Sequence, residues 1–160
     1  MTTIKIHSLC YQPSESRYEE PYHFNRVATE SVNLIAGHGI EGDFKAGRNR
    51  KRQLNIMSLE LLKTMRDEGF KTATGEMGEQ IQISGLDVMT LKTGDRLQMG
   101  ESAIVEITKP RTGCSWFELI QQKPKKSTVK RLGMLAQVIE SGNVCVGDEI
   151  VILARMTEES

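Results

Sequence analysis

The chain of 160 residues has few aromatic residues and no excess of either charge. It contains one tryptophan, three tyrosines and four phenylalanines, and its 21 basic residues balance its 21 acidic residues. A neutral chain has no bulk electrostatic attraction to nucleic acids or anionic membranes, and so few aromatic side chains offer little surface for stacking bases. We therefore expect neither a nucleic acid nor a membrane among its partners.

Long hydrophobic runs are also absent. No apolar run approaches the roughly 18 residues of a membrane span, and the N-terminus lacks the apolar segment of a signal peptide. These absences predict a cytoplasmic protein. At this length one domain is the default, so we expect a single domain over 1–160, with its core at about 4–153 and a flexible tail over 154–160.

Cysteine is scarce, and the three cysteines lie far apart without a C-x-x-C pair. This spacing argues against a zinc knuckle or a thioredoxin-type redox pair. Cys10 and Cys145 lie within sequences typical of strands, which favours buried structural roles for both. Cys114 alone has a polar and cationic setting.

The sequence around Cys114 predicts a strand followed by a short helix. Alternating β-branched residues over 103–108 indicate the strand, and Pro110 ends it. Apolar residues at helical spacing over 116–120 predict a helix that begins near residues 112–113. Cys114 should therefore lie in the first turn of this helix.

That position would make Cys114 reactive. Free backbone amides at a helix start, together with Lys109 and Arg111, favour the thiolate over the thiol. A thiolate attacks electrophiles, carries sulfur or binds a soft metal. The alternative is a small buried hydrophobic residue, which is what most free cysteines are.

The rest of the chain reads as many short strands with few helices. Two segments, around Gly94-Asp95 and Gly147-Asp148, each place a turn before an alternating strand, as in the hairpins of a small barrel. Strands are predicted over 4–11, 31–36, 53–57 and 80–84, and a helix from Ser58, as its cap, to about Glu68. The fold class expected is mainly β, barrel-like, with a few short helices.

A basic segment over 45–52 has five cationic side chains in eight residues. Arginine offers paired donors that match phosphate oxygens, so Arg48, Arg50 and Arg52, with Arg111 nearby in the fold, are predicted to form an anion site. The alternative is a solvated surface loop. For Glu76 and Glu79 in the following glycine turn, local turn polarity or a helix cap is favoured over paired-carboxylate catalysis.

A series of short motifs follows one another along the chain: Gly39-Ile40-Glu41-Gly42-Asp43, Arg52-Gln53, Gly75-Glu76-Met77-Gly78-Glu79, Leu91-x-x-Gly94-Asp95-Arg96-Leu97, Pro110-Arg111-x-x-Cys114 and Val144-x-x-Gly147-Asp148. Taken in this order, they resemble the motifs of the MOSC domain, the C-terminal domain of molybdenum cofactor sulfurases. The resemblance extends from about Ile4 to Leu153, and no single motif carries it alone.

The resemblance implies a barrel-like β-fold and a cysteine that carries sulfur as a persulfide or ligates the metal of a molybdopterin cofactor. By position that cysteine is Cys114, which is thus both the candidate catalytic residue and a candidate molybdenum ligand. The family's Arg-Gln pair matches Arg52 and Gln53, near where an anionic cofactor would lie. The full set of expected cofactor-binding residues is Asp43, Arg48, Arg50, Arg52, Gln53 and Arg111.

Two positions depart from the family pattern. Phe44 and Lys45 follow Asp43 where many members have a basic residue and a histidine, and Gln80 stands where many have asparagine after Gly-Glu. The resemblance does not extend to a pyridoxal-phosphate desulfurase domain, so this chain itself is not expected to bind pyridoxal phosphate. The expected partners are a cysteine desulfurase that donates sulfur in trans and a protein that accepts the sulfur or the cofactor.

The sequence leaves three functions open. In the first, the protein is a sulfurtransferase-type carrier that uses a Cys114 persulfide for molybdenum-cofactor chemistry. In the second, it binds molybdopterin and Cys114 ligates molybdenum, which would make it a small oxidoreductase for substrates such as N-hydroxylated compounds. In the third, it is a non-catalytic cofactor-binding module with a structural cysteine.

Overall fold

A computed structural model describes residues 3–14 and 24–154, which form eleven strands and two α-helices. The elements are β1 Lys5–Tyr11, β2 Val27–Thr29, β3 Ser31–Ile35, β4 Gly39–Ile40, β5 Leu54–Ser58, α1 Leu59–Asp67, β6 Ile81–Ser84, β7 Arg96–Met99, β8 Ala103–Pro110, α2 Ser115–Gln121, β9 Met134–Glu140, β10 Gly142–Cys145 and β11 Ile150–Ala154. Short 3-10 turns lie at Arg50–Arg52, Val88–Thr90 and Lys125–Thr128. The mainly β prediction is confirmed.

Eight of the strands form one mixed sheet in the order β11-β7-β8-β9-β5-β6-β1-β2. Its pairings are antiparallel except that of β5 with β6, which is parallel. Parallel neighbours need a crossover connection, and α1 lies in the one that joins these two strands. A smaller sheet has the order β10-β3-β4.

The large sheet is curled but not closed by a strand ladder. The segment of β1 is joined instead to the segment that begins β11 by an isolated antiparallel bridge between Lys5 and Glu149. Around this bridge Ile6 N donates to Asp148 O at 2.9 Å, Gly147 N donates to Ile6 O at 2.8 Å, and Ile150 N donates to Ile4 O at 2.9 Å. These bonds bring β1 to the turn before β11, so the expected barrel-like shape is present without a complete barrel.

The strands that follow the two Gly-Asp turns, β7 and β11, pair with each other, and because the pair is antiparallel the two turns lie at its opposite ends. Gly94 and Gly147 have φ of 95° and 93°, the left-handed conformation that favours glycine. The carboxylates of Asp95 and Asp148 each accept a hydrogen bond of 2.8 Å from the backbone N–H three residues earlier. The same turn chemistry therefore begins both strands.

Strand β5 separates two hydrophobic cores. Leu54 and Ile56 belong to the main core inside the curled sheet, whereas Met57 belongs to a second core with α1 and α2. Successive side chains of a strand point to opposite faces, so Asn55 lies on the same face as Met57. Residues 54 and 55 of β5 both border the candidate site.

The start of α1 agrees with the sequence prediction, but the expected cap does not form. Ser58 precedes the helix, yet its hydroxyl makes no capping hydrogen bond. The hydroxyl instead donates to Leu86 O at 2.7 Å and accepts from Val88 N at 2.8 Å. Ser58 therefore connects β5 to the segment after β6. These tertiary hydrogen bonds form in place of the expected hydrogen bond that would cap α1.

Two further expectations concern the burial of the cysteines and the C-terminal tail. Cys10 is buried as predicted, but Cys145 is only half-buried, so its expected full burial is wrong. Strand β11 includes Ala154, and residues 155–160 of the predicted tail lie outside the described residues. No helix in the described part of the chain is long and apolar enough to cross a membrane.

Candidate functional site

A cavity of about 350 Å³ lies where the basic segment meets the segment that carries Cys114. Strands β5 and β9, the glycine turn before β6 and residues just before β2 supply the rest of its lining. The lining residues are Phe24, Arg26, Phe44, Lys45, Arg48, Asn49, Arg52, Leu54, Asn55, Gly78, Gln80, Arg111, Thr112, Cys114 and Leu135. The basic segment and the Cys114 segment, which are far apart in sequence, thus border one cleft.

The lining of this cavity is strongly cationic. It includes five basic side chains, which are Arg26, Lys45, Arg48, Arg52 and Arg111. None of the described residues that line it carries a carboxylate. In a chain of zero net charge, this local concentration of positive charge suits the binding of an anion.

Arg111 is the most deeply buried of these cations, with 8% of its surface exposed. Its Nη1 donates to Met77 O at 2.7 Å, and its guanidinium carbon lies 5.9 Å and 5.7 Å from the ring centroids of Phe24 and Phe117. Burial lowers the pKa of Arg111 to about 10, while the carboxylate of Glu79 acts in the opposite direction. Arg111 therefore stays charged at neutral pH.

The glycine turn that supports Arg111 is ordered by the carboxylate of Glu79, which is fully buried. This carboxylate accepts hydrogen bonds from Gly75 N at 2.8 Å, Met77 N at 3.2 Å and Gln82 Nε2 at 2.7 Å. Burial raises the pKa of Glu79. The structure supports the interpretation that Glu79 orders the turn. The carbonyls of this turn accept hydrogen bonds from Arg111 and Arg26.

Arg26 and Lys45 line the cavity, although sequence reasoning did not include them in the site. Arg26 donates to Gln12 Oε1 at 2.7 Å and to Gly78 O at 3.2 Å. Burial lowers the pKa of Lys45, and the charge of Arg26 lowers it further, whereas the sulfur of Cys114 acts in the opposite direction. Lys45 belongs to the basic segment and could have been found there; no sequence signal marked Arg26.

Local contacts hold the basic segment over the cavity. The carboxylate of Asp43 accepts a hydrogen bond from Gln12 N at 2.7 Å, and Phe44 N donates to Gln12 O at 2.6 Å, so the segment is tied to the end of β1. Arg48 Nε donates to Phe44 O at 2.9 Å, and its guanidinium lies 4.2 Å from the ring centroid of Phe44. Asp43 therefore supports the segment from outside the cavity lining.

The predicted site residues separate into two groups. Arg48, Arg52 and Arg111 line the cavity, but Arg50 does not, although it is only two residues from Arg52. Gln53 is buried elsewhere, and its Oε1 accepts a hydrogen bond from Val138 N at 2.7 Å. Like that of Asp43, the side chain of Gln53 thus supports the backbone near the site and does not face the cavity.

Cys114 is exposed and lies at the edge of the cavity. Helix α2 begins at Ser115, so the expected start near residues 112–113 is wrong, and Cys114 precedes the helix with extended backbone. Phe117 in the first turn of α2 is fully buried in the second core. Phe117 thereby anchors the helix, and the Cys114 thiol is exposed to solvent next to the cationic residues of the cavity lining.

A family model identifies the family of this chain, and solved structures show its fold. The family model of the MOSC domain matches residues 26–151. A protein named "Reductase" from Gibberella moniliformis is 28% identical over 85 residues, which cover 51% of this chain and 15% of that protein. This chain thus spans only a small part of the fungal relative's length.

Two solved structures share the fold. The YuaD protein from Bacillus subtilis aligns with a TM-score of 0.75 at 23% identity, over 93% of this chain and 94% of that chain. YiiM from Geobacillus stearothermophilus aligns with a TM-score of 0.73 at 18% identity, over 94% and 75% of the two chains. Since the family model matches most of its length, the chain belongs to the MOSC domain family.

Proposed function

We propose that the protein is a sulfur carrier in molybdenum-cofactor chemistry, in which Cys114 holds sulfur as a persulfide and the cavity binds an anionic, phosphorylated ligand. One observation carries this proposal. An exposed cysteine borders a cavity that five cations line, and no carboxylate is among the described lining residues. The exposure of Cys114 argues against the alternative of a structural thiol in a non-catalytic module.

The sulfur-transfer step balances without an external oxidant. The thiolate of Cys114 attacks the terminal sulfur of a persulfide on a cysteine desulfurase, and a new S–S bond forms as the desulfurase cysteine leaves as a thiolate. A thiolate on an acceptor protein then attacks that terminal sulfur, a new S–S bond forms on the acceptor, and Cys114 leaves as a thiolate. Arg111 and Lys45 attract the negatively charged sulfur throughout.

Molybdopterin is a ligand that these residues fit. Arg52, Arg111 and Lys45 would hold its phosphate, because guanidinium and ammonium groups bind phosphate oxygens. The described residues contain no group of three or more His, Cys, Asp or Glu that could hold a metal. A metal at Cys114 would therefore need most of its ligands from a cofactor.

The exposed cysteine at the cationic cavity also favours a second candidate function, in which Cys114 ligates molybdenum in an oxidoreductase. A thiolate is a soft ligand that suits this role. Molybdopterin would supply redox chemistry at its metal, while the chain would bind the phosphate and present one thiolate. Metal analysis and pterin fluorescence on protein from a host that makes the cofactor separate the two candidates, because retention of both metal and pterin selects the second.

Persulfide loading tests the first candidate. The protein is incubated with a cysteine desulfurase and cysteine, and the mass gain of one sulfur atom is assigned to a peptide by mass spectrometry. We expect loading on Cys114, none in Cys114→Ser, and unchanged loading in the matched control Cys145→Ser. Loading at another cysteine, or none in the wild type, would contradict the carrier function.

We also propose a cytoplasmic location for the protein, because thiols stay reduced in the cytoplasm.

A second test addresses the anion site. Arg52→Ala should weaken phosphate binding about tenfold, because a charge-assisted contact is lost. Arg50→Ala is the matched control, since Arg50 is two residues away but does not line the cavity. If both variants bind phosphate as tightly as the wild type, the basic segment is a solvated surface only.

A further inference from the structure

The segment after α2 carries positive charge that the cavity does not use. Residues 113–131 contain five cationic side chains and one carboxylate, that of Glu118. Lys126 and Lys130 are exposed, and neither forms an ion pair with another described residue. Neither lines the cationic cavity. Their charges are therefore available to a group from outside the chain.

Packing and hydrogen bonds hold this segment next to Cys114. A Cβ atom built at Gly113 would lie 3.2 Å from Thr128 Oγ1 and 3.6 Å from Lys125 Cγ, so the segment passes directly beside the residue before Cys114. Glu118 N donates to Cys114 O at 3.0 Å. The carboxylate of Glu118 accepts from Lys125 N at 3.2 Å and lies 3.7 Å from Lys125 Nζ. The reactive cysteine is therefore close to this segment as well as to the cavity.

Exposed apolar side chains accompany these charges. Val129 is 65% exposed, and Leu119 on the neighbouring helix α2 is 46% exposed. Val129 and Lys130 form the tip of a turn over 128–131, which a backbone hydrogen bond of 3.0 Å closes. Lys130 has φ of 61°, and the third residue of a type II turn requires such a positive value, which glycine usually supplies. A lysine there is less favourable for the backbone, but it places a charge at the tip.

We call the surface formed by Lys125, Lys126, Val129 and Lys130 the basic face. In the proposed sulfur transfer, the Cys114 thiolate attacks the terminal sulfur of a persulfide on the donor, a new S–S bond forms, and the donor cysteine leaves as a thiolate. The donor must therefore cover the protein surface around the thiol. Complementary charge steers and orients such an encounter, and exposed lysines around an apolar side chain match an acidic surface with an apolar patch.

We propose that the protein that donates sulfur docks on the basic face through an acidic surface that lies next to its own reactive cysteine. The cations of the cavity then bind the anionic ligand, whereas those of the basic face bind the donor. This inference rests on the proposed carrier function of Cys114. It adds a second positively charged surface with a separate role.

Two sulfur donors of different size test the inference. Cysteine persulfide is small and needs no docking surface, whereas a cysteine desulfurase supplied with cysteine must dock. The desulfurase should load the double variant Lys126→Glu/Lys130→Glu about tenfold more slowly than the wild type, because the charge of the face is reversed. Cysteine persulfide should load both proteins at rates within about twofold of each other. Mass spectrometry of the Cys114 peptide against time, at limiting donor concentration, gives the rates.

The matched control is the double variant Lys5→Glu/Lys63→Glu, which makes the same change of charge at exposed lysines of β1 and α1. It should be loaded at the wild-type rate by both donors. Added salt should slow loading by the desulfurase more in the wild type than in Lys126→Glu/Lys130→Glu, since screening weakens the attraction between opposite charges.

A further variant separates docking from folding. Lys130→Gly removes one charge and suits the positive φ, so it should melt at the temperature of the wild type or above it. The desulfurase should nevertheless load it about threefold more slowly than the wild type. Val129→Ser should also slow this loading, whereas the matched control Val151→Ser, at another exposed valine, should not.

The outcomes separate this inference from the carrier function. If charge reversal leaves loading by the desulfurase unchanged, or slows loading from both donors equally, the inference is overturned while the carrier function stands. Loading by cysteine persulfide but not by the desulfurase in the wild type also overturns it. Binding to phosphatidylglycerol vesicles that only Lys126→Glu/Lys130→Glu loses, with unchanged loading, would make the basic face a lipid contact instead. If neither donor loads Cys114 in the wild type, the carrier function is wrong and the inference falls with it.

Discussion

The guanidinium of Arg111 occupies the space that a side chain at Gly78 would need. A Cβ atom at position 78 would lie 2.8 Å from Arg111 Nη2 and 2.9 Å from Cζ of Phe24. Gly78 also has φ of 83°, a conformation that other residues rarely adopt. The glycine therefore allows Arg111 to pass across the turn into the cavity, which explains the glycine by packing as well as by backbone conformation.

Gly78→Ala should therefore lower the free energy of unfolding by more than the backbone strain alone explains. Gly37 is the matched control, because its φ is 72° and no atom lies within 4 Å of a Cβ built there. We expect Gly37→Ala to lower the free energy of unfolding by about 1 kcal/mol and Gly78→Ala by about 2–3 kcal/mol, with loss of phosphate binding only in the second. Urea unfolding and phosphate titration measure both effects, and equal losses in the two variants would refute the packing argument.

Cys114 should be the fastest thiol to react with iodoacetamide in the folded protein. It is exposed, whereas Cys145 is half-buried and Cys10 is buried. Burial raises the pKa of Cys10 to about 12, and the carboxylate of Glu79 adds to that effect, so Cys10 stays a protonated thiol at neutral pH. Mass spectrometry of each cysteine peptide against time gives the rates.

The control for this prediction is the unfolded protein. In concentrated urea the three cysteines should react at similar rates, since burial and neighbouring charges are removed. Faster modification of Cys10 or Cys145 than of Cys114 in the folded state would exclude Cys114 as the reactive thiol.

Anion binding should weaken as the pH rises into the alkaline range because of Lys45. Burial and the neighbouring cations lower the pKa of Lys45, so its ammonium loses a proton at a lower pH than a free lysine does. A bound anion favours the charged form, and binding therefore takes up a proton where Lys45 is partly deprotonated. Sulfate is the suitable probe, because its own charge does not change in this range.

We expect sulfate affinity to fall with pH more steeply in the wild type than in Lys45→Met. Lys51→Met is the matched control, because Lys51 is exposed and does not line the cavity, and it should keep the wild-type slope. Calorimetric titrations at several pH values provide the slopes. Parallel curves for the wild type and Lys45→Met would show that Lys45 does not contact the anion.

Glu79→Gln should destabilise the fold. The carboxylate of Glu79 accepts three hydrogen bonds, and the amide of glutamine would turn a donor towards one of those donors. We expect a loss of about 1–3 kcal/mol in the free energy of unfolding, measured by thermal or urea denaturation. Glu76→Gln is the control, since the side chain of Glu76 accepts an exposed hydrogen bond from Ala73 N, and its replacement should change stability much less.

Local sequence patterns were sufficient for most secondary structure. Sequence patterns predicted β1, β3, β5, β6 and β8 to within one or two residues. Buried and exposed residues alternate in β3 and most of β8, as expected for a strand with one buried face, whereas β5 is buried on both faces. The Gly-Asp turns were recognisable because a positive φ requires glycine and the aspartate bonds its own turn. The start of α2 was missed, since Cys114 has no signal that distinguishes an extended residue from a helical one.

Local residue patterns are enough to indicate the fold class, the family motifs and the two segments, 45–52 and 110–114, that carry positive charge and a thiol. Which of these side chains share a cavity depends on how distant parts of the chain pack: Arg52 lines the cavity and Arg50 does not. Arg26 and Asn55 enter the site from other strands or loops, and nothing near them in sequence marks them. The physical reason is that charge and chain conformation are local properties, whereas burial and the loss of hydrogen-bond partners arise only when distant segments pack together.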